Sequence, residues 1–309
     1  MNTTPQDMWS DYWNKGDLHA CTREFSKDAR RRIETKWASE FSQLCGGASV
    51  LDLATGNGAL IASLPACLPP SMPQVKAVGI DLASIENSAA KYCQSNDILD
   101  VEFRGGINVA SLPFEDEMFD LVTSQYGVEY ADFSVAFKQA CRVARDRLVF
   151  LVHAADGVVV RQNFDIVRQV AFVVDEIGVF QILRDYLYSQ KSADWSPVNN
   201  VFEQLRREIY RVENKSFLEA VVHQLRQLVS ALRVYPTDNI LAAIDGFEAS
   251  MKAHGARMAA LNEAAKSKSE LETLLQEDLP DWMQAREIEA EYSDDGEYLV
   301  GYWIKANRI

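Results

Sequence analysis

The stretch Val50-Leu51-Asp52-Leu53-Ala54-Thr55-Gly56-Asn57-Gly58-Ala59-Leu60 restricts the architecture more than any other part of the chain. An apolar run of strand length breaks into a glycine-containing turn, and a helical pattern resumes directly after it. Such a layout presents backbone N–H groups, at a helix N-terminus, to whatever lies beyond the carboxyl end of the strand. A second apolar run, Ala77-Val78-Gly79-Ile80-Asp81, also ends in a carboxylate. In doubly wound folds that position reaches ribose hydroxyls. The two segments together point to a nucleoside-containing ligand.

Strand and helix patterns alternate from about residue 48 to 153. Strands are predicted at Ser49–Leu53, Lys76–Ile80, Val101–Phe103, Phe119–Ser124 and Arg147–Val152, with helices at Ala59–Leu64, Ser84–Gln94 and Phe133–Ala144 between them. This order predicts parallel βαβ units with right-handed crossovers. From about 160 to 285 the strand signal disappears. Leu218, Val221, Val222, Leu225, Leu228, Val229 and Leu232 form one helical stripe, and Leu241, Ile244, Phe247 and Met251 another. The end of the chain reads as a β-hairpin, with Arg286–Tyr292 and Glu297–Ile304 flanking the turn Ser293-Asp294-Asp295-Gly296. The expected fold is therefore α/β: a Rossmann-like doubly wound seven-stranded sheet with an antiparallel C-terminal hairpin. An all-helical insertion separates strands five and six. The expected divisions are an N-terminal helical lid (1–46), a core (47–157), the insertion (158–284) and the closing hairpin (285–309).

Composition narrows the partners. The formal net charge of −14 disfavours nucleic acid, which needs clustered Lys and Arg. Arg30-Arg31-Arg32 reads as a solvated helix face. Cys21, Cys45, Cys67, Cys93 and Cys141 form no CxxC pair, as expected of reduced thiols, and no metal site is expected. There is no apolar signal core at the N-terminus and no run of about 18 apolar residues. A cytoplasmic protein without membrane association is expected.

The turn itself excludes two common nucleotide sites. Ile61 stands where a dinucleotide fingerprint has its third glycine, and the Gly-Lys-Ser/Thr ending of a Walker A loop is absent. Asp52, just before the turn, is suited to bonding the loop backbone and to lying near a cationic ligand.

Four segments, in order, resemble the class I S-adenosylmethionine-dependent methyltransferases, with a core like the type 11/25 groups. Val50–Gly58 resembles the first motif, with Ala54 at its first glycine. Gly79-Ile80-Asp81-Leu82 resembles the second-strand motif. Asn108–Phe114 resembles the G-D-A-x-x-L-P-F segment, with Asn108 in place of Asp. Phe119–Tyr126 resembles the fourth-strand F-D-x-V motif. The Arg142–Arg147 connection is shorter than the family's and lacks its Pro and Gly.

The resemblance implies S-adenosylmethionine as cofactor, S-adenosylhomocysteine as product, and a role for each matched residue. Gly56, Asn57 and Gly58 would pass beneath the methionine and ribose, flanked by Asp52, Ala54 and Thr55. Asp81 would accept from the ribose hydroxyls, and Leu82 would pack on the adenine. Asn108 and Val109 would address the adenine edge, and Ser124, Gln125 and Tyr126 would face the sulfonium.

Methyl transfer needs alignment above all, and a base only where the nucleophile must lose a proton. His153 and Glu129 are the candidate catalytic groups; a strand-end His bonding neighbouring backbone and an exposed helix-start acid are the plainer alternatives. Trp9, Tyr12, Trp13 and Tyr130 are candidates for substrate wall or lid. The acceptor is expected to be a small molecule. A protein methyltransferase docking its target on the insertion, or a non-catalytic regulatory or assembly protein that binds the cofactor, fits the same motifs. A homodimer through the insertion is a further expectation.

Overall fold

The computed structural model describes residues 4–16, 18, 26–69, 71, 73–189, 194–231, 234–285, 287–293 and 296–309. Cys21, Leu232, Arg286, Asp294 and Asp295 lie outside the described residues. The chain divides into two compact units, residues 1–160 with 263–309, and residues 161–262.

The first unit is built on one sheet. Its strands are β1 (Ser49–Leu53), β2 (Val75–Ile80), β3 (Leu99–Arg104), β4 (Phe119–Gln125), β5 (Ala144–His153), β6 (Met283–Ala285), β7 (Glu289–Tyr292) and β8 (Leu299–Arg308). They are ordered β3-β2-β1-β4-β5-β8-β6, with β7 also on β8. β1 to β5 pair in parallel, and β8 runs antiparallel to β5 with Phe150 opposite Ile304. β6 pairs with the last residues of β8 and β7 with its first ones. The expected sixth strand is thus one position in the sheet filled by two short pieces.

Composition explains the layering. β5 is buried from Arg147 to His153, as a strand covered on both faces requires, and its middle, Leu148–Val152, is an unbroken apolar run. The edge strand β3 instead carries Asp100, Glu102 and Arg104, charges that discourage further strand pairing. Helix α1 (Pro5–Asn14) starts with a capping box between Thr4 and Asp7. In α2 (Lys27–Phe41), Ser26 caps the N-terminus. α2 packs on the C-terminal strands: Trp37 lies edge-on to Trp303 of β8 at 5.0 Å, and Lys36 reaches the buried Glu291 at 2.7 Å. Glu40 of α2 takes Lys305 at 2.8 Å.

Helices α3 (Ala59–Cys67), α4 (Glu86–Ala89) and α5 (Phe133–Val143) follow β1, β2 and β4. The predicted helix Ser84–Gln94 shrinks to the single turn α4. α5 runs straight into β5, so the segment Arg142–Arg147 is no loop at all. Arg142 instead binds the carbonyls of Leu112 and Phe114, at 3.0 and 2.7 Å, and fixes the chain entering β4.

The second unit contains most of α6 (Val158–Ala171), then α7 (Val179–Tyr188), α8 (Ser196–Ile209), α9 (Ser216–Ala231) and α10 (Thr237–Ala264). Leu218, Val221, Leu225, Ile244 and Met251 are buried in its core, so both predicted stripes are bundle packing. Its boundary falls short of the expected 158–284. Helix α11 (Lys268–Glu277) belongs to the sheet unit because Leu271 and Leu274 pack into the core shared with Phe137, Phe150 and Ile304. Arg184 reaches Asp245 and Glu248 on α10 at 2.6 and 2.5 Å. Asp245 is exposed and Arg184 and Glu248 are half-buried at the surface, so Arg184→Ala is expected to lower stability by about 1 kcal/mol in chemical denaturation.

Candidate functional site

The strand order reverses between β1 and β4, which opens a crevice at their carboxyl ends. The turn after β1 is held tightly there. Ala54, Gly56 and Gly58 all take left-handed backbone, at φ 52°, 54° and 76°. Alanine adopts this conformation only at a cost of about 1 kcal/mol. Its methyl group has room because residue 127 is glycine: a Cβ there would lie 2.6 Å from the Ala54 Cβ and 2.9 Å from its carbonyl oxygen. Gly127 was not legible as a site residue, since its partner is distant in sequence. Gly127→Ala is expected to destabilise the protein by about 1–3 kcal/mol through overpacking, read as a lowered midpoint in urea.

Two buried carboxylates bracket the turn. Asp52 accepts from the hydroxyls of Thr55 at 2.5 Å and Thr123 at 2.9 Å. Burial lifts its carboxyl to about 7; the two hydroxyls pull it back, and the charge of Asp81 adds to the rise. Asp81 accepts the N–H of Gly56 at 2.9 Å and that of Ala83 at 2.8 Å. Burial lifts it to about 6 against the pull of these backbone donors. Both acids thus resist ionisation until a positive charge or further donors approach.

The other face of the crevice follows β4. Of the three residues expected to face the donor, two are engaged by the scaffold. The Ser124 hydroxyl donates to the Leu53 carbonyl at 2.8 Å and accepts the Val128 N–H at 3.0 Å. It stitches β1 to the turn that follows β4. The Gln125 side-chain oxygen accepts the Trp37 indole N–H at 2.6 Å, on the α2 side. Tyr126, at φ 56°, turns its ring against His153, with centroids 4.3 Å apart.

A 3₁₀ turn, Val128–Tyr130, then carries Glu129, which is fully buried rather than exposed at a helix start. Its Oε1 accepts the backbone N–H of His153 at 3.0 Å and lies 2.8 Å from the His153 Nδ1. The two candidate catalytic residues are therefore one contact unit. Their ring neighbours are Tyr126 and Tyr130, the latter edge-on to His153 at 6.2 Å.

Helix α1 covers the turn. The Asn57 side-chain amide donates to the Trp13 carbonyl at 3.1 Å. The Trp13 indole lies so close to Gly56 that a Cβ there would sit 2.4 Å from it. Trp9 stands edge-on to Tyr130 at 5.4 Å, and Tyr12 edge-on to Trp13 at 5.0 Å. Farther along the crevice, Leu82 is exposed and Val109 is buried in the core. The Asn108 side-chain oxygen accepts the Ala110 N–H at 2.9 Å, so it closes its own turn. Phe103, which sequence reasoning passed over, presses on both Gly58 and Gly79. Among the described residues no cluster of His, Cys, Asp or Glu could hold a metal ion.

Residues 50–147 match the model of a methyltransferase domain. Over this segment the chain is similar to the core of the class I S-adenosylmethionine-dependent methyltransferases. The chain is 31% identical, over 170 residues, to a demethylmenaquinone methyltransferase of Lactococcus lactis subsp. lactis (strain IL1403). That match covers 52% of this chain and 65% of the relative, so the chain spans less than two thirds of the relative's length. A solved SAM-dependent methyltransferase from Aquifex aeolicus is 12% identical with a TM-score of 0.45, covering 97% and 98% of the two chains. Magnesium protoporphyrin IX methyltransferase from Synechocystis PCC 6803, solved with bound SAH, is 11% identical with a TM-score of 0.45, covering 98% of each chain. No helix among the described residues is long and apolar enough to cross a membrane.

The family's cofactor is S-adenosylmethionine, and the residues present fit it. Asp81 stands at the end of β2 with acceptor capacity beyond the backbone donors of Gly56, Leu82 and Ala83, since each carboxylate oxygen has two lone pairs. Asp52 is a buried acid whose ionised form a cationic ligand would stabilise.

Proposed function

We propose that this methyltransferase acts on a small-molecule acceptor, with the cofactor bound across the turn at Ala54–Gly58. The observation that carries the reading is the pair of buried acids, Asp52 and Asp81, on either side of that turn. When bound, S-adenosylmethionine supplies a methyl carbon already activated by a sulfonium. The protein's own task is then to orient the acceptor and exclude water. Asp81 would hold the ribose hydroxyls, and Asp52 would face the ligand's positive charge. Trp13 and Asn57 would close the turn from the α1 side, and Leu82, Asn108 and Val109 would flank the adenine.

Three observations support a small acceptor over a peptide or a nucleic acid. The aromatic face of α1, Trp9 with Tyr12 and Trp13, packs beside the turn with Ala83, Ile85 and Phe103, an apolar wall suited to a small ligand. The net charge of −14 repels polyanions. The related Lactococcus protein is named for a small-molecule substrate. The test is a transfer screen with methyl-labelled S-adenosylmethionine over small-molecule extracts and over total protein. Label in a low-mass product is the expected result. Label confined to protein would redirect the reading to a protein methyltransferase.

A further inference from the structure

The two oxygens of Glu129 are in different situations. Oε1 faces two nitrogens of His153, the backbone N at 3.0 Å and the ring Nδ1 at 2.8 Å. Oε2 is equally buried and has no hydrogen-bond partner. The glutamate side chain has no solvent exposure. A buried carboxylate oxygen with no donor is costly, because the water it has lost is not replaced. Such an atom calls for a partner from outside the protein, whether water, an ion or a ligand group. Glu129 sits in the turn that directly follows β4, within the crevice at the carboxyl ends of the parallel strands. Rings stand about its partner: Tyr126 and Tyr130 flank His153, and Trp9 stands edge-on to Tyr130.

We infer that Glu129 Oε2 receives a hydroxyl group carried on a flat, aromatic body, and that this hydroxyl belongs to the methyl acceptor. The inference rests on the methyltransferase reading and adds a substrate class to it. The requirement for a donor follows from the bare oxygen; the flat body follows from the ring surfaces, which pair edge-on or offset with another ring. His153 occupies Oε1, so the carboxylate cannot swing to satisfy Oε2 internally. In the reaction the acceptor's O–H bond breaks and its proton passes to Oε2. The freed oxygen electron pair forms the new O–C bond to the methyl carbon, and the pair of the broken S–C bond stays on sulfur. Glu129 is thereby assigned as the general base, and it later returns its proton to solvent.

Phenol and anisole test this directly, since they differ in one donor hydrogen. Their binding to the full-length chain is measured by ligand-observed NMR, with and without S-adenosylhomocysteine. Phenol is expected to bind at least about tenfold tighter than anisole, as a hydrogen bond to a buried carboxylate implies. In Glu129→Gln the amide oxygen stays on the His153 donors, so the Oε2 position becomes an NH₂ group. The preference should then fall to within about twofold. Equal binding of the two probes to the wild-type protein, or an unchanged preference in the variant, overturns the inference. Tighter binding of benzylamine than of phenol overturns the neutral hydroxyl in favour of an ammonium head. The wild-type comparison stands alone should the variant not fold. Failure of S-adenosylhomocysteine to bind would instead count against the methyltransferase reading, because the probe comparison is also made without it.

Discussion

Asp81→Ala is expected to weaken S-adenosylmethionine binding by about 10²–10³-fold. Two losses combine. A ribose would lose its charged acceptor, worth about 1.5–3 kcal/mol for each hydrogen bond to such a group. The turn would also lose its tether, because Asp81 holds the N–H groups of Gly56 and Ala83 through its two oxygens. Without it, left-handed Gly56 has no side-chain partner to fix it beneath the ligand. Asp81→Asn keeps one acceptor oxygen and should lose only about tenfold. Isothermal titration of both variants gives the ratio, and their urea midpoints separate lost binding from lost folding. Unchanged affinity in Asp81→Ala would sink the ribose assignment.

The second large effect is a pH dependence centred on Asp52. Its carboxyl titrates at about 7 in the folded protein, against 3.8 for a free aspartate. Between those values the folded protein holds a proton that the unfolded chain has released. The contribution of Asp52 to stability is therefore fully present below about pH 4 and is lost as pH rises through 7. Asp81, at about 6, acts in the same direction over a narrower window. Asp52→Asn cannot ionise, so it should gain about 2–4 kcal/mol relative to the wild type between pH 4 and pH 8. Denaturant titrations of the two proteins across that range give the difference directly. Ligand binding should show the mirror image. A cationic ligand favours ionised Asp52, so the wild-type affinity for S-adenosylmethionine should rise about tenfold from pH 5.5 to 8, with proton release. Calorimetry in buffers of different ionisation enthalpy would detect those protons. A flat profile would place the ligand's positive charge away from Asp52.

Much of this molecule is legible in sequence because its signals are local. The run Val50–Leu60 announces strand, turn and helix in consecutive residues, and each is found where it was predicted. The β7–β8 pair is likewise written in alternation and length. What escapes the sequence depends on pairs far apart in it. Ala54 in place of glycine looks like a defect until Gly127 is seen against it. Ser124 looks like a ligand contact by position, but its hydroxyl is spent between Leu53 and Val128. Glu129 reads as an exposed acid because nothing nearby in sequence covers it; its cover comes from the end of β5. The break between β6 and β7 is also invisible, since both pieces pair with one continuous partner strand. The insertion shows its stripes plainly, and those stripes describe its own packing and not the acceptor.

The most direct test of the central claim is equilibrium binding of S-adenosylmethionine to the unmodified chain at pH 8. The acids around the Ala54–Gly58 turn predict one saturable site per chain, competed by S-adenosylhomocysteine and filled at micromolar to submillimolar concentration. No binding at millimolar concentration, or binding that S-adenosylhomocysteine does not compete, would contradict it.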